Sequence, residues 1–304
     1  MITDELLDRM LKSLGSGQTL AADDLSALSN LGPTELGVFR PVWDGLSTID
    51  RRRLLAQLHS CERENLRCDF NAIYHIALDD LDAEVRRQAL DSILEDESDW
   101  LLGKLLVMAS GDPDANVREA AARQLAPFAL KAELGELPGE RVEMIERTLL
   151  AVVDCPGEAI GPRRAALASV GYLGNERVAA VIRRQLDDPE LHQSAVRAMG
   201  RAADEMWLDA LGGEARSKDP SLREEAARAF GEMADRGAVS LVVDMIDDPV
   251  LEVRLAAIAA LGQIGGEKAR EALIYALEDK RAVIREAAEA ALVELDFEDD
   301  PLGM

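Results

Sequence analysis

Aromatic side chains make up only 4% of this 304-residue chain, and histidine and cysteine occur three times each. So few rings argue against a β-barrel or sandwich, whose cores call for aromatic and β-branched packing. Three cysteines, an odd number in a long chain, do not make a disulfide framework and agree with a reducing compartment. No stretch nears the ~20 apolar residues that span a bilayer. The opening Met-Ile-Thr-Asp-Glu-Leu-Leu lacks a basic segment followed by an apolar one. The sequence therefore predicts a cytoplasmic protein with no membrane partner. Basic residues are also short: 34 Lys and Arg stand against 58 Asp and Glu, a formal charge of −24. That field repels phosphate backbones, so nucleic acid is not an expected partner.

Motifs of catalysis are missing as well. There is no Gly-x-Ser-x-Gly, no phosphate loop and no Gly-x-Gly-x-x-Gly between a strand and a helix. The glycines follow apolar helical segments and read as helix terminators. His59, Cys61, Cys68 and His75 form the nearest approach to a metal cluster. On one continuous helix these ligands lie too far apart to close a tetrahedron, although a break near Asn65 could gather them. No metal or other cofactor is expected.

What the chain does have is a repeat. Anchored on Arg254, an apolar residue precedes the anchor, Ala257 follows three later and Leu261 seven later. The same spacing returns at Arg86, Arg118, Arg163, His192, Arg223 and Arg285, always with Ala at the third place and a larger apolar residue at the seventh. Gly171, Gly200, Gly231 and Gly262 occupy the eighth. The anchors lie 29 to 32 residues apart, apart from one step of 45. Offsets of three, four and seven share one face of a helix, and a small residue there admits a close neighbour. A second apolar helix precedes each of these, and Asp-Pro pairs such as Asp219-Pro220 and Asp248-Pro249 stand at the turns. Each unit is a helical hairpin that hides its apolar side only by stacking on the next. An arginine at six of the seven anchors suits a structural pairing with the acid-rich turns.

The Asp-Pro, Val-Arg, Ala and Leu-Gly signature at a period near 31 resembles the short HEAT-like repeat of phycobilisome lyases and of many bacterial HEAT-repeat proteins. The resemblance covers residues 69–295 and, less clearly, the region from 33. It implies an all-α, right-handed α-solenoid of about eight hairpins, which presents a surface to a partner. HEAT-repeat deoxyhypusine hydroxylases carry His-Glu pairs as iron ligands; this chain has no His-Glu pair, so that activity is not implied.

In order along the chain, helices over 3–14 and 19–31 fall outside the repeat register, so 1–32 reads as an N-terminal helical cap. Residues 33–295 form the solenoid, with a possible break within 131–162, where 14 residues exceed the usual step. The insertion is a binding loop, a tolerated insertion or a hinge between two halves. Arg51-Arg52-Arg53 point in three directions on a helix and read as a solvated face. Residues 296–304 form an acidic tail.

The expected function is noncatalytic: an interaction or assembly scaffold that binds a protein partner along the concave surface of the second helices. The residues named for that surface are Arg123, Arg164, Arg197, Glu224 and Arg228. An accessory enzyme of cofactor attachment, like a phycobilin lyase, or of protein modification is the alternative reading. It would use the 131–140 loop and the adjacent surface.

Overall fold

A computed structural model describes residues 4–65 and 67–299 of the chain, all of them in helices, turns and connections. The residues gather into two compact units, 1–124 and 125–304. Thr3, the first residue of the helix expected over 3–14, and the acidic tail beyond Asp299 lie outside the described residues.

The first unit opens with α1 (Asp4–Gly15) and a short α2 (Ala22–Ser26). The expected helix over 19–31 shrinks to α2 because the chain turns at 27–30, where Asn30 takes a positive φ of 54°. Three hairpins follow: α3 (Pro33–Gly45) with α4 (Thr48–Glu64), α5 (Asn71–Ala77) with α6 (Ala83–Ser92), and α7 (Asp99–Gly111) with α8 (Ala115–Gln124). Caps set the starts. Ser47, Asp82 and Ser98 each accept a backbone N–H of the first turn that has no partner inside its own helix.

In the second unit the longer step accommodates one additional short helix, followed by a turn over 134–138. This α9 (Ala126–Glu133) has proline in its first turn and buries Phe128 and Ala129, and the Glu133 carboxylate accepts the Gly174 N–H at 3.0 Å. The hairpins are α10 (Gly139–Val153) with α11 (Ile160–Val170), and α12 (Glu176–Gln185) with α13 (His192–Arg201). Then come α14 (Leu208–Glu214) with α15 (Pro220–Met233), α16 (Val239–Val243) with α17 (Leu251–Ile264), and α18 (Glu267–Ala276) with α19 (Ala282–Asp299). Asp-Pro works as expected at Asp219-Pro220: the aspartate accepts the Ser221 N–H, and the proline fills a first-turn place that has no hydrogen bond to lose. The first helices are less regular, since 3-10 turns at Glu205–Trp207, Arg236–Ala238 and Asp244–Asp247 interrupt the layer.

Two ladders tie hairpin to hairpin. One is the anchor row. Arg86 binds both carboxylate oxygens of Asp112 at 2.8 and 2.7 Å, and Arg223 binds those of Asp248 at 2.7 and 2.9 Å. Arg254 reaches Asp279 at 2.6 Å, and His192 reaches Glu214 at 2.9 Å. The same guanidinium groups also donate to carbonyls of their own turn, as Arg223 does to Ser217 at 2.9 Å. The row starts one hairpin earlier than the repeat spacing places it. Arg51 bonds the buried Asp80 at 2.5 Å, Arg52 bonds Asp82 at 2.8 and 2.6 Å, and Arg53 donates to the Leu14 carbonyl at 2.7 Å. The three arginines are therefore clamps and not a solvated face.

The second ladder is made of glycines, and it corrects their reading as terminators. Gly200, Gly231 and Gly262 lie inside α13, α15 and α17. A Cβ on Gly200 would sit 2.5 Å from the Ala229 Cα, and one on Gly171 would sit 2.7 Å from the Ala198 Cα. Gly231 faces Ala260 and Gly262 faces Ala291 in the same way. Successive second helices thus pack backbone against alanine, which no larger pair of residues permits.

Candidate interaction surface

With anchors and glycines committed to stacking, one face of each second helix is left to solvent. In α17 its positions are Glu252, Leu255, Ala259 and Gln263, whereas Val253, Ala256, Ala257, Ile258, Ala260 and Leu261 are buried. The spacing of three and four is that of one helical face. Applied to its neighbours, it gives Arg164 and Tyr172 on and just after α11, where Ala168 at the same phase is buried, and Gln193, Arg197 and Arg201 on α13. It gives Glu224, Arg228 and Glu232 on α15, and Glu286, Ala290 and Glu294 on α19.

The five residues named from the sequence meet different fates on this face. Arg228 pairs with Glu224 one turn away, the arginine remaining mostly in solvent. Arg164 is exposed and donates to the Glu190 carbonyl at 2.7 Å. Arg197 is a clamp: its Nε and Nη2 each donate at 2.7 Å to Glu225, whose side chain is only 4% exposed. The Glu225 hydrogen bond raises the Arg197 guanidinium above its ordinary value, and Gln193 adds a third bond to the same carboxylate at 3.1 Å. Arg123 belongs to the first unit, where it reaches Asp91 at 3.0 Å and Glu119 at 3.8 Å with more than half of its side chain exposed.

Tyr172, Arg201 and Glu232 are absent from the sequence-derived set. The Arg201 guanidinium lies 4.9 Å above the Tyr172 ring, donates to the Ala168 carbonyl at 2.9 Å and stands 3.6 Å from Glu232. Burial among the neighbouring helices pushes the Glu232 carboxyl up, and Arg201 works against that shift. The chain does carry a signal for them: all three stand nine residues after an anchor. Beyond α15 the face turns acidic around a small apolar floor, with Glu252, Glu286 and Glu294 beside Leu255, Ala259 and Ala290.

The His59, Cys61, Cys68 and His75 set is only partly gathered. Cys61 and Cys68 sulfurs lie 3.8 Å apart, but His75 bonds Asp96 at 2.5 Å and packs 4.4 Å from the Trp100 ring. Among the described residues no group of three or more His, Cys, Asp and Glu is placed to hold a metal ion. No helix of the described residues is long and apolar enough to cross a membrane.

The chain is similar to several solved structures. A designed armadillo repeat protein in complex with a (KR)4 peptide is 19% identical, over 62% of this chain and 98% of its own, with a TM-score of 0.40. The phycocyanin lyase complex of CpcE and CpcF from a Nostoc species is 19% identical, over 66% of this chain and 79% of that one, with a TM-score of 0.43. The karyopherin Kap121p, bound to the extreme C-terminus of the phosphatase Cdc14p, is 14% identical, over 100% of this chain and 38% of its own, with a TM-score of 0.49. No curated protein matches the sequence. Residues 208–293, from α14 to the body of α19, match the family model of HEAT repeats, and the hairpin unit recurring through both compact units makes this a HEAT-like repeat protein of the all-α solenoid class.

Proposed function

We propose that the protein is a noncatalytic interaction or assembly scaffold that binds a protein partner along the exposed face of its second helices. One observation carries this reading. The residues that repeat in register, anchors and glycines, are consumed in stacking, whereas the residues on the open face differ from hairpin to hairpin. A surface that varies on an invariant frame is suited to recognising one partner segment per hairpin. The centre of the face offers planar donors and carboxylates, Arg164, Glu224 and Arg228, and its acidic end favours cationic side chains in the partner.

The test is affinity capture from the native lysate with crosslinking, each crosslink being mapped to a residue. Crosslinks from one protein to α11, α13, α15 and α17, lost in an Arg164→Glu/Arg228→Glu variant that still folds, are the expected result. Crosslinks confined to the first helices would sink the reading. Covalent transfer of a chromophore or modifying group to the captured protein would install the accessory-enzyme reading in its place.

A further inference from the structure

The close approach of Cys61 and Cys68 has no part in stacking the hairpins. Cys61 lies in the last turn of α4, and Cys68 lies in the connection to α5; their sulfurs are 3.8 Å apart and both residues are partly accessible. A break in the helix brings them together, since Asn65 leaves the helical region with φ −140° and ψ 94°. The pair is polarised. Cys68 accepts a hydrogen bond from the Asn65 side-chain amide at 3.4 Å and another from the Cys61 thiol. Two hydrogen-bond donors therefore point at the one Cys68 sulfur. Cys61, by contrast, keeps its proton: burial, then the neighbouring Cys68, pushes its thiol up to about 11.

We propose that Cys61 and Cys68 form a reversible oxidation site, a dithiol that a peroxide closes to an intramolecular disulfide. Cys68 is the attacking sulfur. Its thiolate takes one oxygen of hydrogen peroxide, the O–O bond breaks, and the departing hydroxide takes up the proton released from Cys68, giving a sulfenic acid and water. The Cys61 sulfur then attacks Cys68, the S–O bond breaks, and the hydroxide leaves with the Cys61 proton as a second water. Two thiols and one peroxide give one disulfide and two waters, so electrons and atoms balance. The sulfurs need close only from 3.8 Å to about 2.05 Å, a movement on the scale of a side-chain rotation.

The bridge fastens a connection that already holds its neighbours. The Asp69 carbonyl accepts the Asn30 N–H at 2.7 Å, the Asp69 N–H donates to Ser29 Oγ at 2.9 Å, and the Phe70 N–H donates to Glu62 at 3.1 Å. Oxidation therefore stiffens the entry to α5 together with the 29–30 turn, while the exposed Cys155 stays outside it.

The experiment is peroxide titration of the full-length reduced protein, followed by blocking of free thiols and peptide mapping without reduction. The expected result is loss of two of the three titratable thiols, a Cys61–Cys68 cross-linked peptide lighter by two hydrogens, and full recovery with dithiothreitol. In Cys61→Ser, dimedone is expected to label Cys68; in Cys68→Ser, Cys61 is expected to remain a free thiol. Cys155→Ser, a change at an exposed position, is expected to leave the bridge intact. Persistence of both free thiols at a peroxide excess that oxidises Cys155 overturns the proposal, as does a bridge between molecules or one that includes Cys155.

Discussion

Arg223 and Asp248 meet in two parallel hydrogen bonds of 2.7 and 2.9 Å, one from the second helix of a hairpin and the other from the turn of the next. Both side chains are largely enclosed, 14% and 10% exposed. Arg223→Ala removes this link together with the capping of the Ser217 carbonyl. It is expected to cost about 2 to 3 kcal/mol in urea denaturation, because it strands a carboxylate out of full solvent contact. Exposed Arg177→Ala is expected to change stability by less than about 0.5 kcal/mol.

The same pairs set the acid response. The Arg223 hydrogen bond holds the Asp248 carboxyl below its ordinary value, and Arg52 and Arg254 act likewise on Asp82 and Asp279. A carboxyl whose folded value lies below its unfolded value adds stability above the unfolded value, about 3.9 for Asp, and loses it as pH falls through the folded value. The urea midpoint is therefore expected to drop as pH falls below about 4. Asp248→Asn is expected to be less stable at neutral pH and to show a shallower drop; an unchanged slope would remove Asp248 from the account.

Gly200 and Gly103 are both helical, yet substitution is expected to move them in opposite directions. Gly200→Ala forces a Cβ to within 2.5 Å of the Ala229 backbone and is expected to destabilise by about 3 kcal/mol. A Cβ on Gly103 meets nothing within 4 Å, so Gly103→Ala in α7 is expected to stabilise by about 0.5 to 1 kcal/mol. Thermal melts of the two variants against the parent protein decide it. Equal effects would refute the close-packing assignment.

The last hairpin shows how stacking stops. Val293 stands where α13, α15 and α17 have glycine, and it is 70% exposed. One turn earlier, Glu289 occupies the place of the buried Val196, Ala227 and Ile258. A branched side chain and a charge thus meet any helix that tries to continue the layer. Restoring Glu289→Ile and Val293→Gly together is expected to produce concentration-dependent association in sedimentation velocity. A variant that stays at the parent's sedimentation coefficient at every concentration would contradict this.

Much of this organisation is legible in the amino-acid order. Arg223, Ala226 and Phe230 announce their hairpin by spacing alone, and the arginine's pairing with an acid-rich turn follows from the Asp-Pro that precedes the next helix. Arg51 is hidden because Leu54 replaces the signature alanine in its own hairpin and Leu81 replaces the proline in the turn of the next, where its partner Asp80 stands. Gly200 misleads because glycine near a helix end serves termination and close approach alike, and only the position of Ala229 separates the two. On the open face, helical phase is enough to place Arg228 and Arg164. It does not tell Arg197 from them, because its burden, the buried Glu225, comes from a different helix.

Within the second unit the glycine contacts also have a mechanical consequence. Second helices that touch backbone to alanine can be neither squeezed closer nor drawn apart without opening a void, so they form an inextensible spine. Compliance lies instead in the first-helix layer, with its 3-10 interruptions. Flexing is therefore expected to fan the first helices and to leave the spacing of the rows from Arg164 to Glu286 nearly constant, a spacing set by the width of two backbones.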